Sequence, residues 1–216
     1  MGWYEGEGPA NLRRFPAEGG EYYLYDTVRV VGEARIGRFT YLGEQGFVAG
    51  RTPVEIGSFC SIASNFSCVT HADAVADRPC AYPLFEVLGV PCTVGSELPN
   101  VDAPAALSTR PITIGNDVWI GDNVTVVGGT SIADGCVIGA KSVVRGETVP
   151  YGVYVGNPAR LIRLRFSESV IEQLLALRWW EWPVEKLRAN AAFFGTDLTA
   201  FDGELLALIL EPDELG

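Results

Sequence analysis

Residues 112–147 read ITIGNDVWIGDNVTVVGGTSIADGCVIGAKSVVRGE, and an aliphatic side chain falls on every sixth position: Ile114, Ile120, Val126, Ile132, Ile138 and Val144. Four of them precede a small residue: Gly115, Gly121, Ala133 and Gly139. A helix repeats near 3.6 residues and a half-buried strand at 2, so neither produces a clean six. A solenoid of hexapeptide coils does. Each short strand forms one side of a triangular coil, one aliphatic residue per side points to the axis, and small residues turn the corners.

The same beat runs earlier in the chain. Ile36, Leu42 and Val48 keep the spacing, GRTP (50–53) interrupts it, and Ile56 and Ile62 resume it. This predicts a loop near GRTP that leaves the prism and returns. From about His71 to Pro111 the period is lost in a stretch holding six prolines. An excursion of that length inside a compact domain is usually functional. After Pro150 the period stops. Val170, Ile171, Leu174, Leu175 and Arg178 then fit an amphipathic helix started by Ser167, and Pro183 to Gly195 fits a second. A third element falls within LTAFDGELLALILEP. A solenoid end exposes its core, so a helical cap is expected. The predicted organisation is mainly β: an N-terminal segment over 1–27, a parallel β-helix over 28–165 with its excursion at about 71–111, and a C-terminal α-helical cap over 166–216.

Composition narrows the function. The formal net charge of −11 over 216 residues argues against binding nucleic acid or an anionic membrane through a broad basic face. The charge is uneven, however. Lys141, Arg145, Arg160, Arg163 and Arg165 stand against the single acid Glu147, which reads either as an ordinary solvated face or as a landing site for a small phosphorylated ligand. The N-terminus has no signal-peptide pattern and no stretch approaches a membrane span, so a cytoplasmic protein is expected. Cys60, Cys68, Cys80, Cys92 and Cys136 form no C-x-x-C pair and read as reduced, mostly buried thiols.

Four stretches, IGRFTY (36–41), IGSFCSIA (56–63), IGNDVWIG (114–121) and GNPARLIRLRFSESVIEQLLALRWWEWPVEKL (156–187), resemble the hexapeptide-repeat acyltransferases. Within that family they look like the xenobiotic acetyltransferases that modify chloramphenicol and streptogramin A. The resemblance implies a left-handed β-helix, a homotrimer with active sites between subunits, acetyl-CoA as co-substrate lying along the groove between coils, and a histidine on a loop of the early coils. That histidine maps onto His71, the only one in the chain. Carried over in the same way, the cofactor-binding candidates are Trp119, Gly139, Ala140, Lys141, Ser142, Gly156, Asn157, Pro158, Arg160 and Arg163. Tyr41, Tyr82 and Phe85 are candidates for the acceptor wall. Each has a plainer reading as well: architecture for Trp119 and the glycines, surface for the basic residues, core for the aromatics. The tryptophans of RWWEWP read as seals of the cap and subunit contacts.

The implied chemistry is acetyl transfer to a hydroxyl of a small molecule such as an antibiotic or other natural product. A neutral imidazole with an ordinary pKa near ~6.5 takes the hydroxyl proton as the oxygen attacks the thioester. Asp73 either orients that imidazole or is a solvated carboxylate. The chain has a short link between Tyr41 and Ile56 and extra residues between His71 and Tyr82, both where the acceptor would be chosen, so the acceptor stays open. The alternatives are transfer to a sugar or natural-product amine or hydroxyl, with the same or another acyl-CoA, and a catalytically silent trimeric scaffold. A zinc hydratase on the same coil needs three histidines, so no metal is expected.

Overall fold

The computed structural model describes residues 11–50, 52–70 and 110–210. A hairpin, β1 (Leu12–Ala17) and β2 (Gly20–Tyr25), opens the described chain. The chain then winds repeatedly through three sheets, here B, C and A, in that order. The first coil is β3 (Arg29–Val31), β4 (Ala34–Ile36) and β5 (Tyr41–Leu42). Next come β6 (Phe47–Ala49), β7 (Val54–Ile56) and β8 (Ser61–Ile62), then β9 (Ser67–Val69), β10 (Ile112–Ile114) and β11 (Trp119–Ile120). The last full coil is β12 (Thr125–Val127), β13 (Ser131–Ile132) and β14 (Val137–Ile138), followed by β15 (Val143–Val144) on sheet B and β16 (Gly152–Gly156) on sheet A. All coil strands pair in parallel with the coils above and below, and β17 (Ala159–Leu164) closes sheet A antiparallel to β16. This is the parallel β-solenoid expected from the period of six.

The aliphatic beat is the core. Leu42, Ile62, Ile120 and Ile138 stack under sheet A, Val48, Cys68, Val126 and Val144 under sheet B, and Ile56, Ile114 and Ile132 under sheet C, all buried in one cluster. Corners repeat as faithfully. Phe39, Phe59, Asp117, Gly135 and Tyr151 take positive φ between sheets C and A, as do Gln45, Asn65, Asn123 and Lys141 between A and B. A left-handed conformation costs a non-glycine residue roughly 1–2 kcal/mol. Here it aims each corner N–H at the preceding coil: Asp117 N donates to Ser58 O at 3.0 Å, Tyr151 N to Asp134 O at 2.9 Å, and Lys141 N to Asp122 O at 2.8 Å.

Three details differ from the sequence reading. At GRTP the flanks of the expected loop stay on the prism, since Gly50 N donates to Val31 O and Val54 N to Glu33 O, both at 3.0 Å; Arg51 between them lies outside the described residues. The coil also outlasts its aliphatic pattern, because Val153 and Tyr154 of β16 align with Val137 and Ile138. Finally, β1 and β2 extend sheet A within a segment to which no strands had been assigned, with Tyr23 in register with Tyr41.

The cap has its own core. Helix α1 (Glu168–Leu177) starts at Ser167, whose side chain accepts from Val170 N, and buries Val170, Ile171 and Leu174. The expected second helix breaks at Asn190 into α2 (Val184–Ala189) and α3 (Ala191–Phe194), and a 3-10 turn over Leu205–Leu208 is the third element. Trp180 and Trp182 are 3% and 9% exposed. Arg38 ties cap to prism: its buried guanidinium donates to the carbonyls of Trp180, Trp182 and Gly19 and lies over the rings of Phe39 and Phe59.

Candidate functional site

Within each hexad the residue before the inward aliphatic points out of the prism. On sheet A these residues line up strand by strand: Tyr23, Tyr41, Ser61, Trp119, Val137 and Val153 are mutually in register. The row continues onto β17, where Arg163 aligns with Val153. From Tyr41 to Arg163 it crosses five strand spacings, about 24 Å. Tyr41 and Ser61 share a hydrogen bond between their hydroxyls, and the Trp119 ring is 44% exposed.

Arg160 and Arg163 sit three positions apart, a separation that puts two residues of a regular strand on opposite faces. A register shift between Val153 and Tyr154 changes that. Arg160 aligns with Val155 and Arg163 with Val153, so the irregularity carries both cations to the outward face. Both are exposed, and among the described residues their guanidinium groups bond to carbonyls of adjacent residues, Ala159 and Leu164.

The remaining cofactor candidates converge on the A–B edge beside this row. Gly139 N donates to Tyr154 O at 2.8 Å, and the buried Ser142 hydroxyl accepts from Gly156 N at 3.0 Å. That bond fastens the β16–β17 turn, with exposed Asn157 and Pro158 joined by a cis peptide, against the corner that carries exposed Ala140 and Lys141. Backbones approach closely here: a Cβ on Gly121 would stand 2.7 Å from Ala140 N, and one on Gly139 would stand 2.6 Å from Val155. All ten cofactor candidates and Tyr41 therefore share one face and one edge. His71, Tyr82 and Phe85, together with Asp73, Cys80 and Cys92, lie outside the described residues.

Arg165 does not join the basic group. Its guanidinium donates to Asp117 at 3.0 Å and to Gly135 O at 2.7 Å, and it lies over Tyr151 and Phe166, which joins prism and cap. Burial pushes the Asp117 carboxyl above its usual range, and Arg165 partly offsets this. Cys60, Cys68 and Cys136 are free and buried, as read from the sequence. Desolvation pushes Cys60 and Cys68 up to about 12, so neither supplies a thiolate near neutral pH. Among the described residues no group of three or more His, Cys, Asp or Glu side chains is placed to hold a metal ion. No described helix is long and apolar enough to cross a membrane.

A cleft of about 1150 Å³ lies elsewhere, along sheet C beneath Trp180 and Glu181, with Glu55, Ser58, Asn116 and Asp134 in its wall. It touches neither Tyr41 nor any cofactor candidate. Sequence reading missed Ser61 and Arg38. For Ser61 the signal was present, since it holds the same hexad position as Tyr41 and Trp119. Arg38 gave none, because its partners are backbone carbonyls some 140 residues away.

Residues 111–146 match the family described as bacterial transferase hexapeptide (six repeats). The chain is 41% identical over 137 residues to a probable macrolide acetyltransferase of Lysinibacillus sphaericus, an alignment covering 62% of this chain and 73% of that protein. It is 37% identical over 142 residues to a chloramphenicol acetyltransferase of Agrobacterium fabrum, covering 65% of each. The structure resembles that of AntD, an N-acyltransferase from Bacillus cereus in complex with dTDP and 3-hydroxybutyryl-CoA, with a TM-score of 0.53 at 19% identity over 71% of this chain and 73% of that one.

Proposed function

The chain belongs to the hexapeptide-repeat acyltransferases, in the branch that holds the antibiotic-modifying acetyltransferases, and on that premise we propose that it transfers an acetyl group from acetyl-CoA to a hydroxyl of a small molecule. The observation that carries this reading is the sheet A row, which sets Tyr41, the acceptor-side residue, in line with Trp119 and Arg163 on the cofactor side. The residues present suit an extended phosphorylated thioester. Lys141, Arg160 and Arg163 offer exposed cations for phosphates. At Gly156 a Cβ would meet only Pro158 O, at 3.6 Å, so the turn that Ser142 fastens is open to a slender arm against the backbone.

In the proposed reaction His71 removes the acceptor's hydroxyl proton while that oxygen bonds to the acetyl carbon. The carbon–sulfur bond breaks, and the proton passes to the departing thiolate. General base catalysis contributes roughly 10²–10⁴-fold. Holding both substrates along one rigid face can supply up to about 7–11 kcal/mol more. Tyr82 and Phe85 complete the acceptor wall in this reading.

The base comes from a second copy of the chain. Thr70 is buried on the B–C edge, where its N–H donates to Ala49 O at 3.0 Å and its atoms fill the space beside Gly50 and Gly128. That edge is opposite sheet A across the packed core. A homotrimer with its sites between subunits accommodates this, and a cytoplasmic location suits an enzyme that uses acetyl-CoA.

The test is thiol release from acetyl-CoA with chloramphenicol, a macrolide, streptogramin A, hydroxylated sugars and amino sugars, comparing wild type with His71→Ala. Acceptor-dependent release that falls by about 10²-fold or more in the variant supports the reading. Equal release from both proteins removes His71 as the base. No release with any acceptor points instead to another acyl donor or a silent scaffold.

A further inference from the structure

On the sheet A row a hydroxyl separates the acceptor-side residue from the cofactor-side residues. Ser61 stands between Tyr41 on β5 and Trp119 on β11, in register with both. Each neighbour is one strand spacing away, about 4.8 Å. The strands that carry the acceptor-side phenol and the cofactor-side indole are thus about 10 Å apart, with Ser61 on the strand between them. The same outward position reads Arg35, Glu55, Thr113 and Ser131 on sheet C, and Phe47, Ser67, Thr125 and Val143 on sheet B. Only sheet A sets a serine between two aromatic rings.

We propose that Ser61 is a positioning residue for the acceptor: its hydroxyl fixes the Tyr41 phenol, so that the acceptor's reacting oxygen is presented at the junction between acceptor and acyl donor. This rests on the acetyl-transfer reading above. Tyr41 is half-buried on the outward face, and its phenol is carried on two side-chain torsions. The Tyr41–Ser61 hydrogen bond ties the end of that side chain to the neighbouring coil, whichever hydroxyl donates. Ser61 itself is held by the solenoid, since its N–H donates to Val118 O at 2.9 Å and Tyr41 N donates to Cys60 O at 3.0 Å. Both ends of the contact are therefore built on rigid strands.

The experiment uses the full-length protein, with chloramphenicol or the best acceptor of the panel above, and measures kcat and both KM values for wild type, Ser61→Ala, Ser61→Thr, Tyr41→Phe and the Ser61→Ala/Tyr41→Phe double variant. Ser61→Ala is expected to raise the acceptor KM by roughly threefold to tenfold, the worth of one hydrogen bond, and to leave the acetyl-CoA KM and the melting temperature unchanged. Ser61→Thr keeps the hydroxyl on a strand-compatible side chain and is expected to stay close to wild type. The double variant is expected to lose no more than the worse single variant, because both substitutions remove the same bond. An unshifted acceptor KM in Ser61→Ala, equal rises in both KM values, or additive losses in the double variant would each overturn the proposal while acetyl transfer stands. A wild type that releases no thiol with any acceptor removes the acetyl-transfer reading and Ser61's role together.

Discussion

Along the C–A and A–B edges the prism turns the same way coil after coil, whereas along the B–C edge no two neighbouring corners match. The regular edges use one residue of positive φ per turn and knit neighbouring turns with side chains: Asn116 Oδ1 accepts from Ser58 N at 2.8 Å, Asp134 Oδ1 from Asn116 N at 2.6 Å, and Thr40 Oγ1 from Cys60 N at 2.9 Å. The number of residues between a sheet B strand and the next sheet C strand differs from coil to coil: residues 32–33 in the first, 50–53 in the second, 70–111 in the third and 128–130 in the fourth. Variation in length is therefore confined to one edge. The regular edges build the solenoid and position sheet A, and the free edge is where chemistry can be added without disturbing the stack.

Single-residue insertions would break this comparison most sharply. A glycine inserted after Asn123, on the A–B edge, displaces a left-handed corner and the bonds around it, and is expected to cost more than about 4 kcal/mol or to abolish folding. The same insertion between Gly128 and Gly129, on the B–C edge, is expected to cost under about 1 kcal/mol. Urea unfolding of the two variants checks this, and equal costs would erase the distinction.

Arg38→Met is the next largest effect. It leaves the buried Trp180 and Trp182 carbonyls without their donor, at a cost of about 2–4 kcal/mol and a fall in melting temperature of roughly 5–15 °C. Tryptophan emission should shift to the red as the cap loosens. Ser167→Ala removes only the α1 cap and is expected to cost about 1 kcal/mol. Smallest at neutral pH is the effect of the core thiols. Cys60 and Cys68 stay protonated in the fold up to about 12, while unfolded thiols ionise near 9.0. The native state thus holds more protons above pH 9, and stability contributed by this difference is lost as pH rises from 9 towards 12. Melting temperatures across that range should fall, less steeply in Cys68→Val.

The hexad beat made the core columns legible before any coordinates, because one aliphatic per side is the whole packing rule of such a coil. Ser167 and the spacing of Val170, Ile171 and Leu174 marked α1 for the same reason: both are local signals. The hairpin β1–β2 left no such trace, since β1 lies antiparallel to β2 outside the hexad beat and β2 joins sheet A by pairing with the first coil strand, β5. The break at Asn190 was hidden as well, because its side-chain amide binds Lys186 O and Leu210 O, the second of which is distant in sequence. Of the candidate site, glycines and cations were readable one by one. Their convergence on one face depends on strand register and on the irregularity opposite Val153, which six-residue spacing alone does not contain.

The most direct measurement is complementation between two inactive chains. His71→Ala and Trp119→Ala subunits, each purified and shown to release no thiol, are mixed, unfolded and refolded together. In the proposed shared site His71 of one copy serves sheet A of another, so a mixed assembly would contain sites with both residues intact, and acceptor-dependent thiol release should return to a sizeable fraction of wild type. Mixed assemblies that form but stay as inactive as either parent would contradict a site shared between subunits.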